Sequence, residues 1–279
     1  GIVSGTTVIT YRVSPSGCLV IRTMTVHPLP SVIVPVALCP TETATLTSSP
    51  AGGTWTSAFP LKASIDPASG LVTAIILNSS AANVVNITYT LPTTCSRTAV
   101  VTVNQVPAPI GGGVRNICIA GTTTLAISTS GGTWSSANTG IATIGSATGI
   151  VTGVAAGTAT ITYTLSTGCI ATAVATVNPL PGAIAGTLGV CSGATTTLTN
   201  SGGGTWLSSI TGVATIGSAT GVLSGVSSGT TIITYTLPTG CQIAATATVN
   251  PLPGAISGAT SVCEGLTATL SNSGGGTWV

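Results

Sequence analysis

The sequence predicts an all-β chain in which small two-layered sandwiches follow one another in a linear rod. Three observations carry that prediction. The first is a repeat. Trp55, Trp134, Trp206 and Trp278 lie 79, 72 and 72 residues apart, and Tyr11, Tyr89, Tyr163 and Tyr235 lie 78, 74 and 72 apart. The segments VHPLP (26–30), VNQVP (103–107), VNPLP (177–181) and VNPLP (249–253) keep the same beat. A unit of this length is too long for a solenoid turn and suits a small domain. The second observation is period-two alternation in runs of β-branched residues, and the third is a glycine turn every 8–12 residues or so. No stretch carries a helical period.

The repeat 182–253 shows each element in order. GAIAGTLGVC (182–191) leads into ATTTLTN (194–200), where Thr196 and Leu198 alternate in face. SGGG (201–204) turns the chain, TW (205–206) opens the next strand, and VATIG (213–217) and GVLSGV (221–226) follow. GTTIITYTL (229–237) is the clearest strand. Thr231, Ile233, Tyr235 and Leu237 point one way; Thr230, Ile232, Thr234 and Thr236 point the other. PTG (238–240) turns the chain into the last strand, CQIAATATVN (241–250). Such alternation implies antiparallel sheets with one buried face. One Trp and one Tyr at fixed points of each repeat read as core aromatics. Carbohydrate stacking is the sharper alternative for the tryptophans. The repeat divides the chain into 1–30, 31–107, 108–181, 182–253 and 254–279, with the first and last segments incomplete.

Composition excludes several classes. Five Lys or Arg and three Asp or Glu make 3% charged residues, against about 25% in ordinary globular chains. From Asn116 to Cys263 there is no Asp, Glu, Lys or Arg at all. Without a basic patch, nucleic acid is a poor partner. Near-zero net charge favours self-association over repulsion. No run of about 18 apolar residues exists, so no spanning helix is expected. Four Trp, four Tyr and one Phe cannot furnish the aromatic girdles of a membrane barrel.

The order Gly-x-x-x-x-Leu, Gly-Thr-Trp-Ser, ATI, Gly-x-Val-x-Gly and GTATITY resembles the group 2 bacterial Ig-like domains. It is most similar to the version repeated in very large surface proteins of Bacteroidetes-type bacteria. Residues 149–161 match that pattern best. Residues 70–89 (GLVTAIILNSSAANVVNITY) depart from it, lacking the second glycine turn. The resemblance implies Ig-like Greek-key sandwiches in an extracellular stalk or adhesin and identifies no ligand.

Eight cysteines fall into two series. Cys39, Cys118, Cys191 and Cys263 precede the second strand of their repeats; Cys18, Cys95, Cys169 and Cys241 sit in the turn before the last strand. An even count in a secreted-looking chain argues for disulfides. With no Cys-x-x-Cys pair and one histidine, zinc is not expected. In the Ig-like topology that the resemblance implies, the two series lie at opposite ends of a domain. They would be about 20–30 Å apart, whereas a disulfide needs Cα atoms within about 7 Å. The expected bonds therefore join neighbouring domains: Cys39 to Cys169, and Cys118 to Cys241. Continued to the next copy, the pattern pairs Cys191 with Cys18 and Cys263 with Cys95. One bond per domain remains the competing arrangement.

Gly1 aligns with Gly221 and Trp278 with Trp206. The chain thus begins with the fifth to seventh strands of one domain and ends with the first two and the start of the third. Either the chain is a window on a longer polypeptide, or copies complete one another by strand donation.

Catalysis finds little to work with. The acids are Glu42, Asp66 and Glu264, and His27 is the lone histidine. Asp66 before Pro67 reads as a turn residue, and His27 as linker filler. No catalytic set, phosphate loop or metal cluster can be assembled, and no cofactor is expected. Trypsin and Glu-specific proteases find no site between Arg115 and Glu264. A surface of Ser, Thr, Gly and Ala calls for O-glycosylation or lateral packing; Asn78-Ser-Ser and Asn86-Ile-Thr fit the N-glycan pattern. The expected function is a non-enzymatic structural component of an extracellular filament or cell-surface stalk that self-associates. A ligand-binding adhesin, recognising glycan or protein through exposed loops, is the alternative.

Overall fold

The computed structural model describes residues 2–75, 83–113 and 116–279. Asn78 of the first glycan motif and Arg115 lie outside the described residues. The chain forms two compact units: residues 1–112 with 126–135 and 162–173, and residues 113–125 with 136–161 and 174–279. All its regular elements within the described residues are strands.

The first unit opens with an antiparallel hairpin, β1 (Gly5–Arg12) and β2 (Leu19–Val26), in register from Gly5 opposite Val26 to Arg12 opposite Leu19. Seven strands follow: β3 (Val36–Leu38), β4 (Thr43–Thr45), β5 (Thr54–Ser57), β6 (Ala63–Ile65), β7 (Leu71–Ala74), β8 (Asn83–Thr90) and β9 (Ser96–Val103). They form a four-stranded sheet of order β3-β9-β8-β5 and a three-stranded sheet of order β4-β7-β6. Leu46, Trp55, Val72, Val85, Ile87, Tyr89 and Val101 form the core of this first module. Full burial of such side chains stabilises by about 1.5–3 kcal/mol each.

The same two sheet orders recur twice. The second module comprises β10 (Asn116–Cys118), β11 (Thr122–Thr124), β12 (Gly132–Ser136), β13 (Ala142–Ile144), β14 (Ile150–Gly153), β15 (Gly157–Leu165) and β16 (Ile170–Asn178). Its sheets are ordered β10-β16-β15-β12 and β11-β14-β13.

The third module lies in the second unit: β17 (Gly189–Cys191), β18 (Thr195–Thr197), β19 (Thr205–Ser208), β20 (Ala214–Ile216), β21 (Val222–Gly225), β22 (Gly229–Thr236) and β23 (Gln242–Asn250). These are ordered β17-β23-β22-β19 and β18-β21-β20. Its core is Val190, Leu198, Trp206, Ala214, Leu223, Ile233, Tyr235, Ala247 and Val249. Along β22, Thr231, Ile233 and Tyr235 are buried, while Thr230 and Ile232 face outward. That is the alternation expected from a strand with one covered face. Beyond the module lie only the two-residue strands β24 (Ser257–Gly258) and β25 (Leu270–Ser271).

The sheets are not wholly antiparallel, contrary to the expectation from alternation. The first strand of each module runs parallel to the last: β3 with β9, β10 with β16, β17 with β23. Each is a three-residue edge strand. The rest of the module separates it from its partner in sequence, so no hairpin turn forces the pair antiparallel.

Glycine is required where the backbone passes the aromatic pair. Gly221 has φ +69°, and a Cβ there would strike the Leu198 carbonyl oxygen and come within 3.1 Å of the Trp206 indole nitrogen. At Gly204 a Cβ would lie 2.8 Å from Cζ of Tyr235.

Candidate functional site: the cysteine turns and the uncovered faces

The two cysteine series occupy two distinct turns, each set by local hydrogen bonds. In the first, the cysteine carbonyl accepts from the amide three residues on: Glu42 to Cys39 (3.0 Å), Gly121 to Cys118 (2.8 Å), Ala194 to Cys191 (3.0 Å) and Leu266 to Cys263 (3.0 Å). The intervening residue has positive φ in every case: Thr41 (73°), Ala120 (64°), Gly193 (79°) and Gly265 (82°). This is the requirement of a type II turn at its third position. At Cys39 the amide also donates to Glu42 Oε2 at 2.8 Å.

In the second turn, an amide four residues earlier donates to the cysteine carbonyl: Leu91 to Cys95 (2.9 Å), Leu165 to Cys169 (2.9 Å) and Leu237 to Cys241 (2.8 Å). Thr94, Gly168 and Gly240, each with positive φ, donate back to the same leucine carbonyls. Cys18 sits in a turn one residue longer, closed by the Val13 amide at 2.9 Å.

Two bonds join the two turn types. Cys39 is bonded to Cys169, with Cα atoms 5.6 Å apart, and Cys118 to Cys241, also at 5.6 Å. Each runs from the end of a module's first strand to the last turn of the following module. The bonded turn cysteines are sealed from solvent, Cys169 at 1% and Cys241 at 0% exposure. Cys241 Sγ lies 4.0 Å from the Asn178 carbonyl oxygen. This is a packing contact, because a disulfide sulfur carries no proton. Cys18, Cys95, Cys191 and Cys263 are free thiols; Cys95 is half-buried and the other three are exposed.

The aromatic residues divide in the same way. Trp55 and Tyr89, Trp134 and Tyr163, and Trp206 and Tyr235 are buried pairs, with ring centroids 4.6, 4.8 and 4.6 Å apart. Tyr11 and Trp278, expected in a core, are exposed at 71% and 59%. The reason is local. The face of β1–β2 carrying Ile9, Tyr11, Val20 and Met24 has no second sheet against it, and all four side chains are exposed. Likewise Ile256, Val262, Leu266, Leu270 and Trp278 are exposed over residues 254–279. The first segment holds a two-strand hairpin where three strands were expected, and the last holds two short strands. Pro30, Pro107 and Pro181, which end their linkers, are buried; Pro253 is exposed.

The sequence reading missed a polar feature of the core. Each buried tyrosine hydroxyl bridges the turn before its tryptophan strand. Tyr89 accepts from the Gly53 amide (2.8 Å) and donates to the Pro50 carbonyl (3.0 Å). Tyr163 does so with Gly132 and Thr129, and Tyr235 with Gly204 and Ser201. The signal was available: a fixed Tyr spaced against a fixed glycine turn. Buried tyrosine needs a partner for its hydroxyl.

Asp66 is a turn residue. Its Oδ1 accepts from the amides of Ser69 (2.7 Å) and Ala68 (3.1 Å) and from the Ser69 hydroxyl (2.7 Å). The Ser69 amide, then its hydroxyl, then the Ala68 amide favour the carboxylate, so its pKa falls below the ordinary value. Among the described residues, no three His, Cys, Asp or Glu side chains gather as metal ligands. Among those residues, too, no helix is long and apolar enough to cross a membrane.

Residues 120–178 match the family model described as "Bacterial Ig-like domain (group 2)". No curated protein matches the chain. Among solved structures, the chain is similar to invasin, a bacterial integrin-binding protein. The identity is 15%, covering 93% of this chain and 68% of that one, with a TM-score of 0.39. A C-terminal fragment of intimin, solved with the intimin-binding domain of its translocated receptor, matches at 15% identity over 53% of this chain and 67% of the fragment (TM-score 0.40). Domains 1–6 of the surface layer protein SbsC match at 17% identity over 92% of this chain, with a TM-score of 0.26. The chain spans 46% of that structure. The chain is all-β and consists of tandem Ig-like β-sandwich modules.

Proposed function

We propose that this chain is a non-enzymatic structural component of an extracellular bacterial filament or surface stalk. Its Ig-like modules follow the sequence divisions 31–107, 108–181 and 182–253. The segments 1–30 and 254–279 are covered by a neighbouring copy or by continuation of a longer chain. The reading rests chiefly on one observation: both disulfides join a module to its successor. Such bonds tie domains together without building a cleft or a reactive centre.

Other features support it. Disulfides persist in oxidising compartments, which favours a place outside the cell. Extended apolar faces at residues 5–26 and 254–279 favour a covering partner, since unpartnered sheet faces and edges promote association. The motif resemblance to repeated Bacteroidetes-type surface proteins favours a tandem array. The near absence of charge favours lateral packing or glycan cover, and gives nucleic acid nothing to bind.

Imaging of native material together with its intact mass tests the reading. Fibres built of a discrete 27-kDa species, or of one much larger chain carrying these modules, are the expected results. Dispersed monomers that bind a glycan array would overturn it in favour of the adhesin.

A further inference from the structure

Seven of the eight cysteines sit in two preformed turns and Cys18 in a longer version of the second, yet only four are bonded. The two bonds obey one rule: the cysteine ending a module's first strand joins the last-turn cysteine of the next module. Applied onward, the rule leaves Cys191 seeking the last-turn cysteine of the domain that begins at residue 254. It leaves Cys263 seeking that of the domain after.

The free cysteines that precede a last strand are Cys18 and Cys95, in that order along the chain. Cys18 follows β1, whose GTTVITY (5–11) parallels GTTIITY (229–235) of β22. Its hairpin therefore matches β22 and β23, the strands that complete the sheet beside Trp206 in the third module. Cys95 belongs to the complete module that follows.

We propose that Cys191 and Cys263 of one chain form disulfides with Cys18 and Cys95, respectively, of a second copy. This inference rests on the filament reading above and specifies its joint. Three of the four thiols already sit in turns that hold bonded cysteines elsewhere in the chain, and Cys18 sits in the same place before the last strand of its hairpin. Cys191 and Cys263 share the turn of the bonded Cys39 and Cys118, and Cys95 shares that of Cys169 and Cys241. Docking the second copy also covers both apolar faces, setting Tyr11 of one chain in the domain of Trp278 of the other. The three intact modules each hold such a Trp–Tyr pair.

Each bond removes two protons and two electrons from a pair of thiols. A protein or small-molecule disulfide takes them. One thiolate attacks it, giving a mixed disulfide and one released thiol; the partner cysteine then displaces the second thiol.

The test uses the whole chain, reduced at its exposed thiols and then assembled with oxidised glutathione. Non-reducing electrophoresis should show a ladder in steps of 26.8 kDa that collapses on reduction. Mapping with pepsin, which needs no charged residue, should recover Cys191 linked to Cys18 and Cys263 linked to Cys95. The double variant Cys191→Ser/Cys263→Ser should lose the ladder while retaining the melting temperature of the single chain. Filaments whose four thiols still react fully with an alkylating agent would overturn this pairing and leave the filament reading standing. So would recovery of Cys191 bonded to Cys263. Failure of the whole chain to assemble under any redox condition would also overturn this pairing, whereas the filament reading falls only if native material images as dispersed monomers.

Discussion

The third module and the segment after it begin with nearly the same residues and end in different states. Asn200 Nδ2 donates to the Gly182 carbonyl at 2.6 Å, and Asn272 Nδ2 donates to that of Gly254. The turns at Cys191 and Cys263 are the same. Yet Trp206 is buried and Trp278 is open to solvent. Likewise Tyr235, 2% exposed, and Tyr11 sit in matching strands with opposite burial. Local sequence sets the turns and strands. Burial depends on what packs against them: Trp206 lies against Tyr235, with ring centroids 4.6 Å apart, whereas Trp278 and Tyr11 are exposed.

The sharpest way to break this comparison is to cut bonds on each side of it. Removing the second disulfide with Cys118→Ser/Cys241→Ser should cost about 4–5 kcal/mol, because it frees a loop with a sequence separation of 123. The same serine pair at Cys191 and Cys263 should leave an unassembled chain unchanged. Denaturant titration followed by circular dichroism measures both, and equal losses would dissolve the distinction. Next, Trp206→Ala should cost about 3–5 kcal/mol, as for other large core residues. Trp278→Ala should stay within about 0.5 kcal/mol in single chains. Hydrogen exchange localises the loss to β19–β23 if the modules melt separately.

A finer version removes one hydroxyl. Tyr235→Phe leaves the Gly204 amide and the Ser201 carbonyl without their partner and should cost about 1–2 kcal/mol. Tyr11→Phe should cost nothing in the single chain. Smaller still is the strain at Thr94, a non-glycine residue with φ of 70° where the later modules have Gly168 and Gly240. Thr94→Gly should raise stability by about 1 kcal/mol, readable as a higher melting temperature of the first module. The least effect concerns acid. Asp66 has a lowered pKa, so its contribution is present above its unfolded value and is lost as pH falls through the folded one. The other acids are Glu42 and Glu264. The melting temperature should therefore hold nearly constant from pH 8 down to about 5 and slip only below about 4.

Strand positions were legible in the sequence because β22 and its equivalents alternate cleanly, and only one face of such a strand can be buried. The two cysteine series were legible from spacing. The parallel edge strands were not. Val36 pairs with Val101 through the backbone, and three residues of alternation cannot signal a partner so far along the chain. The exposure of Tyr11 and Trp278 was equally hidden. Their local patterns match those of buried residues, and the difference lies in strands located elsewhere.

The two disulfides overlap along the chain, one closing 39–169 and the other 118–241. Under tension they act as covalent shortcuts. A pull applied before Cys39 and after Cys241 can cross both bonds, leaving only the stretch between Cys118 and Cys169 to pay out. That is about 50 residues, with a contour length of about 170–180 Å instead of about 700 Å for the whole span. Interlocked loops thus make a tether whose give has a fixed limit, even if every sheet within it were to melt.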